Sequence, residues 1–481
     1  MTRDLLIDAV PGELRTALLI DDEVIDISID RDGLRSAIGN IYLGRVYAVE
    51  PSLQAAFVRL PDGLPGYLSV KHTGGLKQAG SGATPRRIER LVHEGEAVLV
   101  QVTRDARGDK GPALTTHVSF PGRRLVYHPF RDQHVMSSRL RSKDETARLQ
   151  AIAADLPSPG GYTIRTAAEG ASADALLLEA QHLTSAWETL QHDAQAATAP
   201  ACLWQEPPLA RVLRSWADDR IDTIILESPA LLAEAKHILG HYAPDLADRI
   251  SFHTGHPPLF EARGVEDAIN GTLEPRIDLP GGGWITIEAT EALTAIDINS
   301  GSETGEADLE QTAFEINRRA VATIARQLRL RDIGGMIVID FIHMENKQHV
   351  DDLLAALRST LADDPAPTPV LGMTRMGLCE MTRKRARTSL PDLLTGHAAA
   401  HAGIRSVSST GYDVMRAIRA EAMARPGLHV AVDAPGAVID WLSAGARPDQ
   451  LEQLAGSPVL LQSRDDLHDD RYEVYGVERH D

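Results

Sequence analysis

Two short apolar runs each carry one aspartate. In "LTAIDINSG", residues 293–301, Asp297 is followed two positions later by Asn299, and "MIVIDFI", residues 336–342, contains Asp340. An aspartate in an apolar strand is either a hydrogen-bonded structural residue or an acid kept for chemistry. Burying an ionised carboxylate is costly unless a partner compensates it, and two close together repel further. A divalent cation relieves both costs. Mg²⁺ favours one or two carboxylates with water and phosphate oxygens in its remaining positions. The chemistry expected of such a pair is metal-activated water attacking a phosphodiester. Asn299 falls on the same strand face as Asp297 and is expected to hold a carboxylate, the water or a phosphate oxygen.

The segment between the aspartates must bring them together. "ADLEQTAFEINRRAVATIARQLRLRDIGG" places Leu309, Ala313, Ile316, Ala320, Ile324 and Leu328 at steps of four and three, which is one face of a helix. Asp308 with Gln311 resembles a capping box, and Gly334–Gly335 is the expected stop. Residues 293–342 therefore read as strand, helix, strand. In such a unit the strands run parallel and both carboxylates lie toward their carboxyl ends, where α/β sheets build sites. Upstream, Gly281–Gly282–Gly283 leads into two apolar runs joined by a short polar turn.

Residues 4–30 read as short strands with a turn at Pro11–Gly12, and the alternating text from 40 to 104, broken at Glu50–Pro51–Ser52 and Pro61–Asp62–Gly63, suggests a small closed barrel. Mixed α and β follows, with a long helix near 173–198, a connector from Pro200 to Pro208, and a strand, cap and helix around Ser228–Pro229. At 481 residues the chain is long enough for roughly three to five units. Its 43% apolar and 24% charged residues fit a soluble globular protein. The net charge of −19 argues against binding nucleic acid through bulk charge, but leaves basic islands at "RRIER", "LRLRD" and "TRKRAR", each expected as a solvated helix face. No run reaches the roughly 18 to 20 apolar residues of a membrane span and no signal peptide is evident, so a cytoplasmic protein is expected. Cys202 and Cys379 are too few for a disulfide framework or a cysteine zinc site, and both are expected to be buried.

"AIDINSG", "ARQLRLRDIGGMIVIDFI" and "RMGLCEMTRKR" resemble, in order, motifs of the ribonuclease E/G family, bacterial endoribonucleases that cut single-stranded RNA. "NIYLGRVYAVEPSLQAAFVRL" and "DKGPALTT" resemble its RNA-binding OB-fold barrel, "YTIRTAAEG" its sensor of a 5′-monophosphate, and "TIILESPALL" with "HPPLFE" its RNase H-like segment. The resemblance implies an α/β multidomain chain. An RNase H-like structural segment (1–36 and 212–275) would be interrupted by the barrel (37–119) and the 5′-sensor region (120–211). A DNase I-like catalytic domain (276–388), a linker (389–410) and a small C-terminal α/β domain (411–481) would follow.

Carried over by position, the resemblance implies that Asp297 and Asp340 bind a catalytic Mg²⁺, or Mn²⁺ in its place, and that Asn299 assists at the scissile phosphate. It implies RNA contacts from Phe57, Tyr67 and Lys110, with Arg375 supporting the RNA backbone or the phosphate pocket. Arg165 and Thr166 match the pair that grips a terminal phosphate, a guanidinium fork plus a hydroxyl. The expected activity is Mg²⁺-dependent cleavage of single-stranded RNA in rRNA, tRNA and mRNA processing and decay, leaving 5′-phosphate ends and favouring 5′-monophosphorylated substrates.

The sequence departs from the family in places. Where members commonly carry a Cys-Pro-x-Cys zinc link between two chains, "SLPDLLTGHAAAHAGIRS" has no cysteine, so a homo-oligomer is expected but not a zinc-linked dimer. His397 and His401 would share a helix face, but two ligands make a weak metal site and solvated histidines are expected. His343 stands where members often have an acid, and no degradosome-scaffolding tail is expected beyond 481. Two other readings stay open. A non-catalytic RNA-binding or chaperone protein would have no use for Asp297, Asn299 and Asp340, and a phosphatase for small nucleotides would leave the barrel unexplained.

Overall fold

A computed structural model describes residues 1–481 apart from 35, 62, 64, 75–86, 107–109, 141, 219, 302–308, 386, 397–402, 469 and 479–481. Asp308, His397 and His401 therefore lie outside the described residues. The chain is mixed α/β with several sheets, one of them a closed five-stranded barrel, and divides into two compact units. The first comprises Met1–Arg31, Ile225–Ser228 and Phe252–Asp481; the second comprises Asp32–Ile224 and Pro229–Ser251.

In the first unit, strands Arg3–Val10, Glu13–Ile20 and Glu23–Arg31 form an antiparallel meander. Its turns hold Gly12 at φ +88° and both Asp21 and Asp22 at positive φ, the sign that two-residue hairpin turns require. One face of the meander packs on Leu259, Phe260, Val265, Ile269, Leu330, Leu390 and Leu394.

The same strands also carry buried charge that their alternation does not announce. Glu13 and Arg15 are both fully buried. Glu13 accepts hydrogen bonds from Arg15 Nε at 2.7 Å, from Arg416 Nη1 at 2.6 Å and from Arg31 Nε. Asp8 accepts from Arg416 Nε at 2.6 Å and Arg419 Nη2 at 2.7 Å. Helix Val407–Ala424 is thus fixed to the first two strands by ion pairs, because a buried charge is tolerable only when it is paired. Beyond it, strand His429–Ala434 lies between Leu460–Ser463, which runs parallel to it, and Glu473–Val477, which runs antiparallel.

The aspartate-bearing strands belong to a six-stranded sheet in the same unit, ordered Arg276–Asp278, Trp284–Ala289, Leu293–Asn299, Gly335–Asp340, Leu378–Arg383 and Val370–Met373. Leu293–Asn299 and Gly335–Asp340 are parallel, as the strand, helix, strand reading requires, and the other neighbours are antiparallel. Helix Leu309–Leu330 makes the crossover, and with helix Lys347–Thr360 it covers one face of the sheet around Ile285, Ile296, Ile298, Ile316, Ile324 and Leu353.

Two details of that helix differ from expectation. Leu309 is 71% exposed, as the first residue precedes the packed turns. The stop is Asp332, which takes the left-handed position at φ +47° while Ile333 N–H reaches back to Leu328 O at 3.0 Å. Arg383 fixes this turn by donating to Asp332 Oδ1, to Ile333 O and to Asp364. Arg331 and Arg383, from two of the basic islands, are therefore buried rather than solvated, because each meets backbone oxygens or carboxylates.

In the second unit, strands Ile41–Glu50, Ala55–Arg59, Pro65–Ser69, Ala113–Thr115 and Ala97–Arg104 pair in that order, and the first and last pair again to close the barrel. Val46, Val58, Leu68, Val100 and Leu114 fill its interior. The expected connector from Pro200 begins instead with a strand, Ala201–Trp204, that adds to the barrel strand Ile41–Glu50. Cys202 lies on this outer strand and is exposed, contrary to the expected burial, whereas Cys379 is buried. A four-stranded sheet of Phe120–Pro121, Leu125–His128, Gly161–Ile164 and Val135–Met136 packs against helix Ala173–Ala196 through Leu176, Ala180, Leu183 and Trp187. Among the described residues no helix is long and apolar enough to cross a membrane.

The buried ion cluster makes the first unit sensitive to acid. Burial pushes the Glu13 carboxyl up, but Arg15, Arg416 and Arg31 outweigh it and hold the group down at about 2 against an ordinary 4.5. The folded value lies below the unfolded one, so the contribution is complete above about pH 4.5 and is lost as pH falls toward 2. Glu13→Gln is expected to cost about 3–5 kcal/mol near neutrality, by stranding buried guanidinium groups. It should also flatten the loss of stability between about pH 5 and pH 3 seen in urea unfolding of the wild type. Equal pH slopes for the two proteins would contradict this account.

Candidate active site

The Asp297 strand alternates cleanly. Thr294, Ile296 and Ile298 turn inward to the helices, and Ala295, Asp297 and Asn299 turn to the other face. On the neighbouring strand Ile337 and Ile339 are inward and Asp340 is outward. In the parallel register Asp297 is the partner of Asp340, so the two carboxylates stand side by side on adjacent strands, roughly 4.8 Å apart at the backbone. Asn299 Nδ2 donates to Asp297 Oδ2 at 2.7 Å, which fixes the carboxylate's orientation. Past Asn299 the chain turns at Gly301, φ +64°, where a Cβ would lie 3.3 Å from the Trp284 ring.

Both carboxylates are exposed, which corrects the expectation of burial. Helices cover one face of the sheet, and the apolar run around Asp340 includes residues of the other face: Met336 is 54% exposed. What remains unfavourable is the repulsion of like charges directly opposite each other. Among the described residues neither Asp297 nor Asp340 forms an ion pair, whereas Asp8, Glu13, Asp332 and Asp364 are all matched by arginines. Nor do three or more His, Cys, Asp or Glu side chains converge to hold a metal among the described residues. A cation here would therefore be held by two carboxylates and keep most of its water. That is the habit of Mg²⁺ and of hard-oxygen cations generally, so the donor set fits.

The segment after Asp340 is pinned by residues the sequence reading passed over. Asn317 is fully buried in the crossover helix; its Nδ2 donates to Ile342 O at 2.8 Å and its Oδ1 accepts from Ile342 N–H at 3.0 Å. Glu310 accepts from the N–H groups of Glu345 and Asn346 and lies 2.9 Å from His349 Nδ1. The available signal was an asparagine adjoining Ile316 on the buried helix stripe. His343, within this segment, is exposed.

Arg375 is exposed on the hairpin turn that leads into Leu378, the register partner of Asp340. Thr374 braces that turn, its hydroxyl accepting from the N–H groups of Met376 and Leu378. Asp297, Asn299, Asp340 and Arg375 therefore share one end of one sheet.

The other expected site residues lie in the second unit. Phe57 and Tyr67 are register partners on neighbouring barrel strands, with ring centroids 6.1 Å apart, both on the outside. Lys110 is exposed, three residues before Ala113, which pairs with Tyr67. Arg165 and Thr166 follow strand Gly161–Ile164. Arg165 Nη1 donates to Gly122 O at 2.8 Å, and the Thr166 hydroxyl lies 3.3 Å from that of Ser137. Burial, with Arg214 adding repulsion and Glu179 opposing it, holds the Arg165 guanidinium below its ordinary pKa, as for a cation short of counter-charge.

The model of the Ribonuclease E/G family matches residues 119–386. Ribonuclease G of Haemophilus influenzae is 34% identical over 485 residues, spanning 98% of this chain and 99% of its own. Ribonuclease G of Escherichia coli strain K12 is 36% identical over 428 residues, 87% of this chain and 88% of its own. Ribonuclease E of the same strain is 35% identical over 432 residues, 88% of this chain but 41% of its own.

Asn317→Leu would leave the N–H and C=O of Ile342 without their buried partner, a loss of about 1–3 kcal/mol for each group left unsatisfied. Urea unfolding should show that cost. Asn317→Asp, which buries an unpaired carboxylate against Ile342 O, should cost at least as much as Asn317→Leu near neutrality. Unchanged stability of Asn317→Leu would contradict the pinning role.

Proposed function

Because the chain belongs to the ribonuclease E/G family and is an endoribonuclease, we propose that it cleaves single-stranded RNA with a divalent cation, Mg²⁺ or Mn²⁺, held by Asp297 and Asp340. The observation that carries this reading is the register pairing of two exposed carboxylates that lack ion-pair partners among the described residues, with Asn299 bonded to one of them. When bound, the cation supplies an acidified water and neutralises charge on the phosphoryl oxygens. Asp297 and Asp340 hold it, and Asn299 keeps the Asp297 carboxylate turned toward it while leaving its own amide oxygen free to accept from the attacking water. Arg375 draws the RNA backbone to this end of the sheet. Attack of water on phosphorus with rupture of the P–O3′ bond leaves a 5′-phosphate on the downstream product and a 3′-hydroxyl on the upstream one.

Phe57 and Tyr67 stack unpaired bases, and Lys110 meets a neighbouring phosphate. Arg165 and Thr166 grip a 5′-monophosphate: the guanidinium is fixed at one nitrogen by Gly122 O and gains the counter-charge its surroundings withhold. We assign the barrel to an OB-fold at 37–119, the sensor to 120–211, the catalytic domain to a DNase I-like fold at 276–388 and the flanking 1–36 and 212–275 to an RNase H-like segment. The substrates in this reading are rRNA, tRNA and mRNA in processing and decay in the cytoplasm, with the protein acting as a homo-oligomer that does not depend on a cysteine zinc link.

The test is cutting of a short A/U-rich single strand bearing a 5′-monophosphate or a 5′-hydroxyl. Asp297→Asn and Asp340→Asn should each lower the rate by about 10²–10³ at unchanged stability, as expected when a group facing transition-state charge is lost. Wild-type rates in either variant would remove the catalytic assignment. Arg165→Ala should abolish the advantage of the 5′-monophosphate and leave the hydroxyl-ended substrate unaffected. A retained advantage would remove the sensor assignment alone.

A further inference from the structure

The barrel carries a third exposed ring beside Phe57 and Tyr67. Along strand Ile41–Glu50, Val46 pairs with Val58 and Ala48 pairs with Phe57, so Tyr47 is the extra residue of a β-bulge. Val46 faces the barrel interior, so the next residue, Tyr47, alternates outward and is 42% exposed. Its ring centroid lies 6.2 Å from that of Phe57 with the planes at 39°, and Phe57 in turn lies 6.1 Å from Tyr67. Three strands thus contribute one ring each to a continuous outer row, in a chain with only 4% aromatic residues.

Arg59 ends the row. It is exposed, and its guanidinium carbon lies 5.6 Å from the centre of the Tyr47 ring. That is near the outer limit of about 6 Å for a cation over a ring, so the guanidinium covers Tyr47 loosely and can swing to an anion. An aromatic face accepts any nucleobase, and an arginine fork accepts a phosphate. Side by side they match a single nucleotide.

We propose that Tyr47 and Arg59 form a third nucleotide subsite of the barrel, taking one unpaired base of the RNA on the Tyr47 ring and the adjoining phosphate on Arg59. The proposal rests on the reading of Phe57 and Tyr67 as RNA contacts and extends it by one strand.

The experiment measures binding of a short fluorescent A/U-rich single strand to the full chain, by anisotropy in a chelator, for wild type, Phe57→Ala, Tyr47→Ala, Tyr47→Phe and Arg59→Ala. Tyr47→Ala should weaken binding about 5- to 150-fold with an unchanged salt slope, and Tyr47→Phe should bind as wild type. Arg59→Ala should reduce the slope of log affinity against log salt by about 0.7, one phosphate contact on a single strand. If Tyr47→Ala also lowers the melting temperature, Tyr47→Leu separates packing from stacking: weak binding by this variant supports the subsite, and recovery overturns it. Weak binding by Phe57→Ala with wild-type binding by Tyr47→Ala overturns the third subsite alone. Wild-type binding by both overturns the reading of the barrel as well.

Discussion

The candidate site depends on one pairing, the parallel register that sets Asp297 against Asp340. Side chains on a strand alternate, so a slip of one residue would send one carboxylate into the helix-covered core and bring Ile339 or Ile298 to the open face. The inward residues oppose that slip: Ile296, Ile298, Ile337 and Ile339 all pack into one core with the crossover helix. The hydrophobic cost of a wrong register is thus what holds two like charges together. On the far side of Asp340, Asn317 clamps Ile342 and so fixes where the strand ends.

Charge is handled in two opposite ways within the first unit. Where carboxylates are buried, guanidinium groups surround them: Glu13 has three arginine partners, and Arg383 bridges Asp332 and Asp364. These pairs contribute less to net stability than their number suggests, because desolvation offsets most of the attraction, but breaking any one strands a charge. At the sheet end the arrangement reverses. Asp297 and Asp340 are hydrated, adjacent and without cationic partners among the described residues, so their mutual repulsion is available to favour a bound cation. The scaffold tolerates that repulsion because the strands are secured elsewhere.

Much of this was legible in the sequence for a simple reason: periodicity reports which face of an element is covered. The 3.6-residue stripe from Ala313 to Leu328 and the flanking apolar runs gave the crossover and placed both aspartates at strand ends. The exposure of those aspartates was not legible, because Ala295, Met336 and Val338 make the open face look apolar and an apolar run does not say how many of its faces are covered. The helix stop was misplaced because Asp332 takes a conformation usually left to glycine, held there by Arg383 from a strand some fifty residues away. The partnership of Asn317 with Ile342 and the burial of Arg15 and Glu13 depend on contacts distant in sequence, which no local pattern records. That Tyr47 stands beside Phe57 follows from strand pairing, which alternation alone does not record.

The central claim is that two neighbouring carboxylates make a cation site. Its most direct test is electron paramagnetic resonance of Mn²⁺ added to the full chain, comparing wild type with Asp297→Asn and Asp340→Asn at matched stability. The account predicts a bound Mn²⁺ in the wild type, displaced by Mg²⁺ and lost in either variant. Mn²⁺ held equally well by all three proteins would contradict it.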